Sequence, residues 1–214
     1  MNSTLIKQRI RNITALRILV APIVNFRRKK ALVEYSKSED SKYIQGLKGI
    51  CSGERCFIIG NGPSLKAEDL EMLKDEKCFA FNRIYYMYPK TSWRPWVYMV
   101  TDRDILAQID KDENFVPEGK YNFFNGVKLS EKYRRQNSHR IFVYDKFRII
   151  AYKAKNFKVK EDVSKCFSLN SFSVTIIAFE MASFMGFKEI YFLGVDTDSP
   201  VSVDKKGTKI IRQQ

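Results

Sequence analysis

Residues 56–65 read Cys-Phe-Ile-Ile-Gly-Asn-Gly-Pro-Ser-Leu. Four unbroken apolar residues fit a short strand buried on both faces. Gly60 and Gly62 permit positive φ and close backbone approach. Pro63 presets φ, and Ser64 can cap a helix that begins at Leu65. The stretch therefore reads as strand, tight turn and helix.

The same grammar recurs downstream. Residues 78–81 read as a second strand and 96–100 as a third. Thr101-Asp102-Arg103-Asp104 then opens a helix through Ile109. Residues 121–124 and 141–144 are further strand candidates. Residues 171–185 read as a long helix, and 190–193 as the strand after it. Residues 146–165 are basic and weakly periodic, which predicts a surface loop or irregular helix. Strands alternating with helices predict an α/β domain with a Rossmann-like, doubly wound, mostly parallel sheet.

Upstream the composition changes. Residues 1–30 carry Lys7, Arg9, Arg11, Arg17, Arg27, Arg28, Lys29 and Lys30 and no acid, more than half of the chain's +14 formal charge. Ile6, Ile10, Ile13, Leu16 and Val20 recur at helical spacing, so residues 1–33 are expected to form a basic amphipathic helical segment. Pro22 would end or kink it. The apolar run 18–24 is far too short to span a bilayer, and no small-residue cleavage site marks a signal peptide. Such a helix suits an anionic membrane surface; the plainer reading docks it on its own domain or on a second subunit. No helix-turn-helix or RNP motif accompanies the charge, so nucleic acid is not an expected partner. Residues 34–50 are polar and charged and read as a linker, which leaves 51–214 as the α/β domain.

Composition excludes several classes. Hydrophobic residues make up 44% and aromatics 14% of the 214 residues, enough for a sizeable core, so disorder throughout is excluded. The four cysteines, at 51, 56, 78 and 166, form no C-x-x-C, and His139 is the sole histidine. A disulfide scaffold or a zinc site is therefore not expected, nor is a haem or flavin. The cysteines read as reduced and structural, in a cytoplasmic protein. A mechanism that needs histidine would have to use His139.

Ligands of doubly wound sheets bind outside the carboxyl ends of the strands. Four turns lie there. Gly60-Asn61-Gly62-Pro63-Ser64 offers free amides that suit a phosphate or carboxylate, and Asn61 can recognise a base, a ribose or a phosphate; the plainer reading is a simple strand-to-helix turn. It is neither G-x-G-x-x-G nor a Walker loop. Asn82 offers a donor and an acceptor to a base or sugar, and Arg83 could neutralise a phosphate; alternatively they are a turn former and a surface cation. Asp102 and Asp104 could hold Mg²⁺ or supply a base, against plain helix capping. Ser171, Ser173 and Thr175 place hydroxyls at a helix start, again suited to a phosphate or sugar or to capping alone. Gly194-Val195-Asp196 adds a carboxylate at the same edge.

The blocks C-F-I-I-G-N-G-P-S-L, C-F-A-F-N-R-I-Y, V-T-D-R-D and G-F-K-E-I-Y-F-L-G-V-D, in this order, resemble the MptE-like 6-hydroxymethylpterin diphosphokinase family over roughly residues 54–198. They are also distantly similar to bacterial sialyltransferases of glycosyltransferase family forty-two, which hold a CMP-activated sugar on a Rossmann-like domain. The resemblance implies that Gly60, Asn61, Gly62, Pro63 and Ser64 contact a nucleotide. It implies that Asn82 meets the ribose or phosphate side, and that Ser171, Ser173 and Thr175 lie near the base or phosphates. In the diphosphokinase-like reading Asp102 and Asp196 flank the reaction centre, with Mg²⁺ at Asp102 and Asp104. Two departures stand out. Phe172 replaces a glycine in the family's Gly-rich G-G-[ST]-V-T segment. Relatives usually continue well beyond the G-V-D block, whereas this sequence stops at Gln214, so a short or truncated form is expected.

Three functions stay open at this point. One is a glycosyltransferase-like transferase in cell-surface polysaccharide or glycan synthesis, using a nucleotide-activated donor on the inner face of the membrane. A second is a pterin diphosphokinase that moves pyrophosphate from ATP with Mg²⁺. The third is a non-catalytic nucleotide-binding or scaffold module.

Overall fold

The computed structural model describes residues 14–112, 115, 117–125, 137–144, 162–168, 173–196, 201–203 and 209–211. In chain order the elements are α1 (Thr14–Ser36), α2 (Glu39–Gly46), β1 (Arg55–Ile59), α3 (Ala67–Glu71) and β2 (Cys78–Phe81). A 3-10 segment (Asn82–Lys90), β3 (Val97–Val100), α4 (Arg103–Ile109), β4 (Tyr121–Asn125) and β5 (Ser138–Ile141) follow. Then come β6 (Val143–Tyr144), β7 (Phe167–Ser168), α5 (Val174–Phe184), β8 (Glu189–Leu193), β9 (Val201–Val203) and β10 (Lys209–Ile211).

Six strands build one sheet in the order β5-β4-β3-β2-β1-β8, and every pair is parallel. The continuous apolar runs explain this, because β2 and β3 are buried at every residue and need cover on both faces. Alternation then sorts their side chains. Ile58, Phe79, Val97, Met99 and Phe123 pack on one face with Ile44 and Leu47 and with Ile177 and Met181 of α5. Ile59, Ala80, Tyr98, Val100 and Phe124 pack on the other with Leu70 of α3, Trp93, Ile109 of α4 and Phe115. Each such fully buried large side chain contributes about 1.5–3 kcal/mol. The doubly wound α/β expectation is met, and the main sheet is wholly parallel. β9 and β10 form a separate antiparallel pair.

The polar stretch 34–50 is not an extended linker. α1 runs on through Ser36, and α2 starts at once, with the Ser38 hydroxyl accepting from the Ser41 amide at 3.2 Å. Asp40 and Tyr43 of α2 find partners on edge strand β5. The Asp40 carboxylate accepts from the Arg140 amide (3.1 Å) and from Arg140 Nε (2.6 Å). Tyr43 stacks on His139, and the Ser41 hydroxyl donates to the Ser164 carbonyl at 2.8 Å. Ile44 and Leu47 are buried below. Burial pushes the Asp40 carboxyl up, but hydrogen bonds from His139 and Arg140 outweigh it and bring it down to about 2.

Other boundaries moved. The expected strand 141–144 is divided: β5 ends at Ile141, and Val143–Tyr144 pairs with Phe167–Ser168 in a separate two-stranded sheet. The helix expected to begin at Leu65 is limited to Ala67–Glu71, and that over 171–185 to Val174–Phe184. Residues 1–13, with Ile6, Ile10 and Ile13, and most of the 146–165 segment lie outside the described residues. All four cysteines are buried free thiols, and burial pushes Cys56 and Cys78 up to about 12.

Candidate functional site

Strand order reverses at one place. From β1 the chain steps outward through β2, β3, β4 and β5, then returns to lay β8 on the other side of β1. The carboxyl ends of β1 and β8 therefore border the crevice where open α/β sheets bind ligands. Gly60-Asn61-Gly62-Pro63-Ser64 leaves one strand there and Gly194-Val195-Asp196 the other.

These two segments are hydrogen-bonded backbone to backbone, with no room for side chains at the glycines. The Gly60 amide donates to the Leu193 carbonyl (2.8 Å), and the Gly62 amide to the Gly194 carbonyl (2.9 Å). A Cβ on Gly60 would overlap the Gly194 oxygen and lie 2.7 Å from its carbonyl carbon. A Cβ on Gly62 would overlap the Asp196 carboxylate and lie 2.7 Å from the Gly194 oxygen. Gly194 itself has φ +63°, a left-handed conformation that glycine reaches without penalty. So the glycines of both blocks serve one close crossing.

Asp196 fills the mouth of the turn. Its Oδ1 accepts from the Ser64 hydroxyl at 2.6 Å and its Oδ2 from the Ser64 amide at 3.0 Å. The hydroxyl first, then the amide, hold this exposed carboxyl below the usual carboxylate range. The turn thus binds an anion, and here the anion is a side chain of the same protein.

Next along the edge, Asn61 Nδ2 donates to the Phe81 carbonyl at the end of β2 (3.0 Å). Asn82 follows with φ 55°, unusual outside glycine. The Tyr98 hydroxyl donates to the Asn82 carbonyl, while the Asn82 side-chain oxygen is buried without a hydrogen-bond partner. A buried acceptor left unpaired costs about 1–3 kcal/mol. Arg83 pairs with Gln108 of α4.

Asp102 caps α4, its Oδ1 accepting from the amides of Asp104 (2.7 Å) and Ile105 (3.1 Å). Asp104 is exposed in the first turn of α4. Asp102 and Asp196 leave strands β3 and β8, which lie three positions apart in the sheet, or about 14 Å at the usual inter-strand spacing. They span the crevice rather than meet. Among the described residues no three His, Cys, Asp or Glu side chains gather in a group able to hold a metal ion. Ser173 caps α5 by accepting from the Thr175 amide at 3.3 Å. Ser171 lies outside the described residues.

The sequence reading missed Asn125. It is buried at the end of β4 and donates from Nδ2 to the Thr101 carbonyl at 2.8 Å. The signal was available, since an asparagine closes a strand at 125, directly follows one at 82 and lies two residues past one at 61. His139 is on β5, at the sheet edge opposite β8. It packs between Tyr43 and Asp40, with Nδ1 3.6 Å from the carboxylate.

Residues 29–201 match the family model described as "6-hydroxymethylpterin diphosphokinase MptE-like". Among solved structures the chain is similar to the MAf glycosyltransferase from Magnetospirillum magneticum AMB-1, at 15% identity and a TM-score of 0.44. The match covers 82% of this chain and 32% of that one, so the chain spans about a third of that protein's length. No curated protein matches.

Proposed function

Because this chain belongs to the MptE-like family, we propose that it is a nucleotide-dependent transferase whose donor binds at the carboxyl edge between β8 and β2. The observation that carries the reading is Asn82, a strained residue with a buried, unpaired acceptor beside the glycine turn. An oxygen held in that way suits a ribose hydroxyl or a base amino group. The Ser64 amide and hydroxyl, which now hold the Asp196 carboxylate, suit a phosphate oxygen just as well. Asn61, tied to the end of β2, sets the spacing between the two contacts. Ser173 and Thr175 open α5 at the same edge and extend the polar lining.

The favoured reaction is glycosyl transfer in cell-surface polysaccharide synthesis, with a nucleotide-activated sugar as donor. Asp196 would be released from Ser64 as the donor phosphate enters, freeing a carboxylate beside the reacting bond. The family's own description favours a second reading, pyrophosphoryl transfer from ATP to a pterin hydroxyl. In that case Asp102 and Asp104 are the residues that would hold Mg²⁺, with most of its ligands coming from the phosphates. Mg²⁺ would neutralise phosphate charge there.

A thermal-shift panel of CMP, CDP, UDP, ATP and GTP, each with and without Mg²⁺, tests both readings. A nucleotide at a hundredfold excess over its Kd adds about 2.7 kcal/mol of stability. Stabilisation by cytidine nucleotides supports glycosyl transfer. Mg²⁺-dependent stabilisation by ATP supports the diphosphokinase. No shift with any of them refutes both and leaves a non-catalytic module.

A further inference from the structure

α1 presents two faces. Ala21 and Tyr35 are buried on the inner one, where Tyr35 stacks on Phe142 and its hydroxyl donates to the Arg140 carbonyl at 2.9 Å. Ile23, Phe26, Lys30 and Val33 recur at alternating spacings of three and four residues on the opposite face. Ile23 is 58% exposed, Phe26 71% and Val33 47%. Arg27, Lys29, Lys30 and Lys37 are exposed around them. Glu34, 3.9 Å from Lys30, is the one acid between residues 14 and 37.

We infer that this outward face of α1 rests on an anionic lipid surface, with Ile23, Phe26 and Val33 in the acyl boundary and Arg27, Lys30 and Lys37 on the lipid phosphates. The pairing of apolar and basic residues selects the occupant. Nucleic acid would use the cations and leave Phe26 in water. A second copy of the helix would bury the Lys30 ammonium in a seam between Phe26 and Val33. At a lipid surface the Lys30 stem lies on apolar surface while its ammonium reaches the phosphates. No helix among the described residues is long and apolar enough to cross a membrane, so the helix would lie on the surface rather than span it. Arg140 is the penultimate residue of β5, so α1 is rooted through Tyr35 at the sheet's carboxyl edge. The inference does not depend on which nucleotide that edge binds.

The test is co-sedimentation of the full chain with vesicles of phosphatidylcholine alone or with about 30% phosphatidylglycerol, at low and high salt. Partitioning to the anionic vesicles should exceed that to neutral ones at least tenfold, and fall at least tenfold in high salt. The double variant Ile23→Glu/Phe26→Glu, with an unchanged melting temperature, should lose binding at least tenfold. Should that variant melt early, Phe26→Ser alone replaces it. Anionic binding equal to wild type in a folded variant overturns the proposal. So does failure of the folded wild type to bind, whether it is then monomeric, forms a dimer through Phe26, or retains only RNA.

Discussion

Gly60→Ala examines the crossing on which the site is built. The new methyl would overlap the Gly194 carbonyl oxygen and lie 2.7 Å from its carbon and 3.0 Å from the Val195 nitrogen. All three atoms are backbone, so no side chain can swing aside. Relief requires β1 and β8 to part at their carboxyl ends. That movement strains the hydrogen bonds of 2.8 Å from Gly60 to Leu193 and 2.9 Å from Gly62 to Gly194. Overpacking costs about 1–3 kcal/mol, and each weakened hydrogen bond up to about 1 kcal/mol. The expected loss is about 2–4 kcal/mol, a fall in Tm of roughly 4–16 °C for a chain of this size. Gly46→Ala is the control. A Cβ there meets nothing within 4 Å, at the end of α2, and the change should be neutral or stabilise by up to about 1 kcal/mol. Urea unfolding of both variants gives the comparison. A Gly60→Ala protein within about 0.5 kcal/mol of wild type would refute the close crossing.

Asn61→Ala should weaken binding of the nucleotide chosen by the thermal panel about tenfold by titration calorimetry, while loss of the bond to Phe81 costs about 1 kcal/mol of stability. Ser64→Ala should raise the pKa of Asp196, because the hydroxyl is the larger cause of its depression; carboxyl ¹³C NMR titration of wild type and variant reads this directly. Asp40 has a folded pKa of about 2, below its ordinary 3.8. Its contribution is full above the ordinary value and is lost as pH falls from about 4 to 2. Asp40→Asn should therefore flatten acid unfolding in that window, as followed by circular dichroism. Phe79→Ala, fully buried and edge-on to Phe187, should lower stability by about 3–5 kcal/mol in urea unfolding.

Much of the fold could be read from local pattern. The runs at 78–81 and 97–100 have no polar face, and such strands need a sheet covered on both sides. The glycines at 60, 62 and 194 marked the turns, and the strand-end rule brought them to one edge. What composition concealed was α2. Its Ser38 cap and the spacing of Tyr43, Ile44 and Leu47 are helical signals, yet Glu39, Asp40 and Lys42 made the segment look like a solvated linker. Asp40 is satisfied by Arg140, a hundred residues away, and no local pattern reports such a pairing. The same holds at the site. Asp196 was legible as a carboxylate at a strand end, but not as the partner of Ser64. Asp102 and Asp104 were open to capping or to a metal, with capping the readier reading for at least one, and the contacts of Asp102 with the amides of Asp104 and Ile105 show which one caps.

The central claim is that a nucleotide occupies the carboxyl edge at the reversal between β1 and β8. Hydrogen–deuterium exchange of the full chain, with and without the most stabilising nucleotide of the thermal panel, tests it most directly. The account predicts slowed exchange over residues 60–64, at 82–83 and at 194–196, with no change at the amino edge around 49–54. Protection confined to the amino edge, or none at a saturating nucleotide concentration, would contradict it.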